Sequence, residues 1–199
     1  MANQLPKHLG GHMNKTHLDQ GSLEYMIANY NIKTMLDIGC GPAGMVELAR
    51  NLGINAQGID GDFAVERPDV PVTIHDYEKG PSPLNIEVDL VWSCEFVEHV
   101  WEEFLPNFMK DFQRGKYVIM TYAPVGKGGH HHVNCNTEEY WIDVFKKYGF
   151  DYSPELTADI REITTMGTRT NIARPGKPPK WKISKTAFVH KHGLVFVKR

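Results

Sequence analysis

The sequence predicts an α/β chain built on one doubly wound, mostly parallel sheet, and three observations predict it. Short apolar runs alternate with helix-patterned segments along most of the chain. A glycine-rich turn, "LDIGCGPAG" from Leu36 to Gly44, joins one apolar run to the helix that follows. Polar clusters recur at the C-terminal ends of the runs, where ligands sit in such sheets.

Taken in order, "DQGSLEYMIANYNI" sets Leu23, Met26, Ile27 and Tyr30 at helical spacing. "KTMLDIG" is a short apolar run ending in glycine and reads as a buried strand. "AGMVELARNLG" is a helix closed by Gly53. "INAQGID" and "PVTIHDY" are the second and third strands. "VDLVWS" is the fourth, and a helix is expected after it from Glu95 to Phe112. "GKYVIMTYA" is the fifth. "TEEYWIDVFKKYGF" is a helix with Thr137 as N-cap and Gly149 as stop. "GLVFVKR" closes the chain as a strand. In "RPGKPPKWK" the prolines exclude regular helix, and Trp181 there either flanks an acceptor or caps the sheet.

At 199 residues the chain has room for about one domain, too little for a nucleotide domain plus a full substrate domain. Hydrophobic residues at 41% and charged residues at 23% fit a folded domain, and no apolar run of about 18 residues suggests a membrane span. The polar N-terminus lacks the apolar stretch of a signal peptide. Cys40, Cys94 and Cys135 are odd in number and too far apart for a zinc knuckle, so free thiols in a reducing cytoplasm are expected. The net charge of −2 is uneven. All 24 acids and 13 of the 22 bases precede residue 163, a net −11, and no acid follows Glu162. The basic segment 163–199 either meets an anionic partner or pairs with the acidic body.

The glycine loop fits the dinucleotide pattern at Gly39, Gly41 and Gly44, yet two details point away from NAD. Asp37, at the strand end, would repel a pyrophosphate but welcome a ligand bearing an ammonium and a sulfonium. Pro42 removes an N–H from the turn that would cradle phosphate. Asp60 ends the second strand, where a carboxylate can accept both ribose hydroxyls. Asp76 ends the third and can accept an adenine amino group, with Tyr77 stacked on the ring; Asp62 or a backbone amide could serve instead.

With "LDIGCGPAG", "GID", "HDY" and "VDLVWSCEFVEHV" on successive strand ends, the chain resembles the class I S-adenosylmethionine (SAM) dependent methyltransferases over roughly Lys33 to Phe150. The resemblance implies a Rossmann-like, seven-stranded sheet, with a final strand pair near Phe150–Ser153 and Gly193–Arg199. It implies cofactor contacts from Asp37, Gly39, Gly41, Asp60 and Asp76, with Cys94 lining the cleft. From position alone, residues 1–32 are expected to form an N-terminal helical cap or lid ahead of the SAM-binding domain, 33–199.

Two segments carry candidate chemistry. On the expected helix Glu95, Glu98 and His99 share one face and could hold a divalent cation such as Mg²⁺; the competing reading is an ordinary acid-rich helix start. This E-x-x-E-H also resembles the metal-binding segment of ubiquinone-pathway O-methyltransferases and small-RNA terminal ribose methyltransferases. In "GKGGHHHVNCN", if extended, His130, His132 and Asn134 face one way and His131 the other. His132 and Asn134 are the candidate catalytic pair, His132 as base or as a metal's further ligand, against a plain flexible loop. Trp92, Trp101, Tyr140 and Trp141 read as core, and His8, His12 and His17 as solvated. The expected function is methylation of oxygen or nitrogen on a small, anionic acceptor. Methylation of RNA at its terminal ribose, a non-catalytic SAM-binding subunit and an NAD-dependent dehydrogenase are the alternatives.

Overall fold

The computed structural model describes residues 5–65, 69–174 and 177–199, with side chains throughout except in 170–183. The strands are β1 (Lys15–Leu18), β2 (Thr34–Ile38), β3 (Asn55–Asp60), β4 (Val72–Ile74), β5 (Val88–Ser93), β6 (Gly115–Met120), β7 (Phe150–Tyr152), β8 (Gly167–Arg174), β9 (Lys177–Lys185) and β10 (Leu194–Lys198). The helices are α1 (Gln20–Tyr30), α2 (Gly44–Asn51), α3 (Leu105–Phe112), α4 (Glu138–Lys147), α5 (Pro154–Ile163) and α6 (Phe188–His192).

Seven strands form one sheet in the order β4-β3-β2-β5-β6-β10-β7. The first five run parallel, and β10 pairs antiparallel with both β6 and β7. This is the doubly wound, seven-stranded sheet expected from the sequence. The order reverses between β2 and β5, so the crevice outside their carboxyl ends is the natural ligand site.

Period-two alternation sends each strand's side chains to two cores. Met35, Leu90 and Trp92 face α1, α2 and α5. Leu36, Val91 and Val118 face α3 and α4. Asp19 caps α1 by accepting from the Ser22 amide at 3.1 Å. The same buried carboxylate accepts from the Thr165 amide at 2.9 Å, and so ties the start of α1 to the exit of α5. Thr137 and Ser153 cap α4 and α5.

The sequence reading did not anticipate the second sheet, β1-β8-β9, in which β8 and β9 form a hairpin and β1 pairs antiparallel with β8. The side chain of Trp181, read two ways from sequence, lies outside the described side chains. The helix expected from Glu95 to Phe112 is corrected. Only Leu105–Phe112 is α-helical, preceded by short 3-10 turns at Val97–His99 and Glu102–Phe104. Glu95 sits in the left-handed region at φ 55°, which breaks a helix at its first residue. The carbonyls of Glu98 and His99 bond the histidine loop instead of a later helical turn, taking the amides of Val133 and Asn134 and the ring nitrogen of His131.

Candidate active site

A cavity of about 310 Å³ opens at the carboxyl ends of β2, β3 and β5. Asp37, Gly39, Gly41, Asp60, Asp76, Tyr77, Cys94 and Glu95 all line it, together with His99, His130, His132 and the segment before β1.

The glycine loop's amides are already taken. Gly39 and Cys40 donate to the Ile59 carbonyl at 2.9 and 3.2 Å. Gly41 donates to Asp60 Oδ2 at 2.8 Å, Ala43 to the Cys40 carbonyl at 2.9 Å, and Gly44 to Thr16 Oγ1 at 2.9 Å. Pro42 has no N–H. A pyrophosphate therefore finds no free donor in this turn, which is the feature a phosphate cradle needs. The glycines answer to packing: a Cβ on Gly39, whose φ is 72°, would stand 2.5 Å from Phe96, and one on Gly44 would stand 2.4 Å from Thr16.

The cavity wall is acidic. Asp37 is 3% exposed, and no described group donates to its side chain. Burial, and then the neighbouring Asp60, push its carboxyl well above the ordinary range. A cation beside it would reverse that shift. Burial also raises Asp60, although amides from Gly41 and Asp62 favour its charged form. Each Asp60 oxygen accepts one of those amides at 2.8 Å, leaving a lone pair on each for ligand hydroxyls. Asp76 accepts from the Glu78 amide at 3.0 Å and faces His8 Nε2 at 3.2 Å. Such a wall suits a ligand bearing positive charge and repels a pyrophosphate.

Tyr77 lines the cavity, but its hydroxyl is pinned to Asp111 Oδ2 at 2.7 Å, and its ring packs edge-on against Phe96 and Phe108. Its place is in the core wall, which corrects the expectation of a free stacking ring. Cys94 is buried, its thiol pushed up chiefly by burial.

The metal trio changes membership. With no helix at Glu95, its carboxylate turns to Thr121 Oγ1 at 3.1 Å, while that oxygen also accepts the Glu95 amide at 2.8 Å. Glu98, His99 and His132 instead bring one ligand atom each within 4.8 Å of one another. Glu98 is fully buried, and neither carboxylate oxygen has a hydrogen-bond partner. Burial and then Glu95 push its carboxyl far up. His99 Nδ1 donates to the His130 carbonyl at 2.7 Å, and His132 Nδ1 to the Lys127 carbonyl at 2.9 Å. Those bonds leave each Nε2 with a free lone pair, the tautomer a metal ligand requires. His99, held near pKa 4 mainly by burial, is neutral at physiological pH. An orphaned buried carboxylate beside two imidazoles, each with a free Nε2, is a donor set that fits a divalent cation.

The histidine loop is not extended. His131 turns at φ 47°, and its ring abuts Trp101 at 5.7 Å. His130 and His132 line the cavity; Asn134 does not. Asn134 is buried, with its amide group bonded to the Val97 carbonyl at 3.4 Å and its side-chain oxygen accepting from Asn136 at 2.7 Å. It fastens the loop, so its expected catalytic role is corrected. Trp92 and Trp141 are buried as expected, whereas Trp101 is 46% exposed. Sequence reasoning also missed His8 and His12, which are not solvated but face Asp76 and Asp62 across the cavity mouth. Their partners stand 68 and 50 residues away, which no local pattern reveals.

No family model matches the chain, and no curated protein matches it. Solved structures share its fold. Magnesium protoporphyrin IX methyltransferase from Synechocystis, with bound SAM, is 14% identical; the match covers 89% of this chain and 76% of that one at a TM-score of 0.52. The 1,6-didemethyltoxoflavin-N1-methyltransferase of Burkholderia thailandensis, with bound 1,6-didemethyltoxoflavin and S-adenosylhomocysteine, is 11% identical over 90% and 77% of the two chains, with a TM-score of 0.55. The methyltransferase domain of the bacterial protein CtHen1 is 17% identical over 89% and 96%, with a TM-score of 0.54. The chain thus has the fold of the class I SAM-dependent methyltransferases.

Proposed function

We propose that this protein is a SAM-dependent O-methyltransferase acting on a small acceptor that presents paired oxygens to a divalent cation. The observation that carries the reading is the cavity wall: an acid at each of three strand ends and no free loop amide, on the fold just described. SAM supplies an electrophilic methyl group, and the cation a Lewis acid that favours the ionised acceptor hydroxyl.

The chain's residues divide the remaining work. Asp37 gives the buried negative charge that a sulfonium or ammonium needs, and the free lone pairs of Asp60 take ribose hydroxyls. A hydrogen bond to a charged acceptor contributes about 1.5–3 kcal/mol. Glu98, His99 and His132 would hold the cation. Glu95, raised by burial and lining the cavity, accepts the acceptor's proton. A terminal ribose, with its vicinal hydroxyls, is the second reading; the same cation site and the base-only segment 163–199 favour it.

The test is a calorimetric titration of Mg²⁺, then Mn²⁺ or Zn²⁺, into protein saturated with S-adenosylhomocysteine. One site is expected, lost in Glu98→Ala. Its affinity should fall as pH is lowered, because Glu98 must release its proton to bind. No heat with any of the three ions contradicts the metal-assisted reading.

A further inference from the structure

The segment ahead of β1 crosses the cavity mouth as a strap. His8, Leu9, Gly11 and His12 line the cavity, as does Thr16 at the start of β1. It is fitted to the body residue by residue. Leu9 fills the space over Gly61, where a Cβ would stand 2.4 Å away, and Thr16 fills that over Gly44. His12 lies over Gly41, and Gly11 runs beside His130 and His99, so one segment roofs the glycine loop and reaches the histidine cluster. Met13 and Asn14, at φ 46° and 57°, reverse the chain into β1.

Two imidazoles latch it. His12 Nε2 donates to Asp62 Oδ2 at 2.9 Å, while its Nδ1 accepts from the Asn14 amide at 3.1 Å. The neutral tautomer makes both bonds, so the latch needs no charge. His8 Nε2 donates to Asp76 Oδ2 at 3.2 Å and lies 3.7 Å from Glu78. The first latch continues inward: the Asp62 amide donates to Asp60 Oδ1, and Asp60 Oδ2 accepts from Gly41. His12, Asp62, Asp60 and the glycine loop form one hydrogen-bonded chain. A ligand held by Asp60 therefore sits behind the strap, on a carboxylate that the strap helps to orient.

We propose that residues 8–16 are a lid on the cofactor cavity, and that His12 is a positioning residue. It acts through Asp62 to hold Asp60 in place and to set the lifetime of the bound cofactor. This rests on the reading of the cavity as the SAM site.

The experiment is stopped-flow measurement of S-adenosylhomocysteine release from the wild-type protein and from His12→Leu, His12→Gln and the double variant His8→Leu/His12→Leu. Amide exchange of residues 8–16 is followed in each without ligand. His12→Leu should release the ligand at least tenfold faster and lose protection across the strap, and the double variant should be faster still. His12→Gln, which keeps an N–H for Asp62, should return to within about threefold of wild type. A purely space-filling role would leave the Gln variant as impaired as the Leu variant, and that result overturns the latch. Wild-type release rates in the double variant overturn the lid. A wild-type protein that binds no S-adenosylhomocysteine overturns the cofactor reading itself, and the lid with it.

Discussion

At the scale of single residues, the most informative side chain is Glu98. A buried carboxylate without a donor is costly when charged, so its pKa is driven up from the ordinary 4.5. Between the unfolded and the raised folded pKa the folded state binds more protons, so stability is fullest below that window and falls as pH rises through it. In the presence of a chelator, denaturation midpoints of the wild type should fall with rising pH above about 4.5 more steeply than those of Glu98→Gln. Parallel slopes would mean that Glu98 is satisfied in solution. A bound cation should cancel the difference by making the charged form the favoured one. The acids of the cavity wall were legible in the sequence because Asp37 and Asp60 are fixed by the strand ends they occupy. His132 was legible as a base or as a metal's further ligand, but not as standing in Glu95's place beside Glu98 and His99. Its place depends on a loop pinned by the Glu98 and His99 carbonyls, and those are free only because the expected helix is absent.

At the scale of elements, hydrophobic periodicity located each strand of the parallel core and the helix α1, and caps located α4. It failed where a tertiary bond overrode propensity. Thr121, at the end of β6, grips both the amide and the carboxylate of Glu95, and this fork holds a conformation that no local preference would select. The small sheet β1-β8-β9 was missed because β1 is a four-residue strand whose partner lies some 150 positions later. That sheet carries its own pH signature. His17 is bonded to Thr168 Oγ1 at 2.9 Å and packs edge-on against Phe188 at 4.9 Å. Burial, with a smaller contribution from Lys15, lowers its pKa from 6.5 to about 4. A folded pKa below the unfolded one means that stability is lost as pH falls from 6.5 towards 4, by about 3 kcal/mol at most. His17→Gln should flatten the acid limb of the stability profile over that window. An unchanged limb would show that His17 is solvated and β1 is not docked.

At the scale of the whole molecule, the sheet order β4-β3-β2-β5-β6-β10-β7 puts the acids of three separate strands around one crevice, which His130 and His132 of the histidine loop also line. The sequence reading arrived at this arrangement because each polar cluster closes an apolar run, a relation that survives without knowledge of packing. What it could not supply was the roof. The contacts that fasten the strap to the body are long-range, and its histidines look like surface residues until Asp62 and Asp76 are brought beside them. With these acids and no free loop amide, the crevice should take a cation-bearing adenosine ligand and not a dinucleotide. Calorimetric titration of the wild-type protein with S-adenosylhomocysteine and, in parallel, with NADH tests it most directly. One site for S-adenosylhomocysteine, weakened at least tenfold in Asp60→Ala, with no heat from NADH, is the expected result. Binding of NADH in preference, or affinity for S-adenosylhomocysteine that is unchanged without the Asp60 carboxylate, would contradict it.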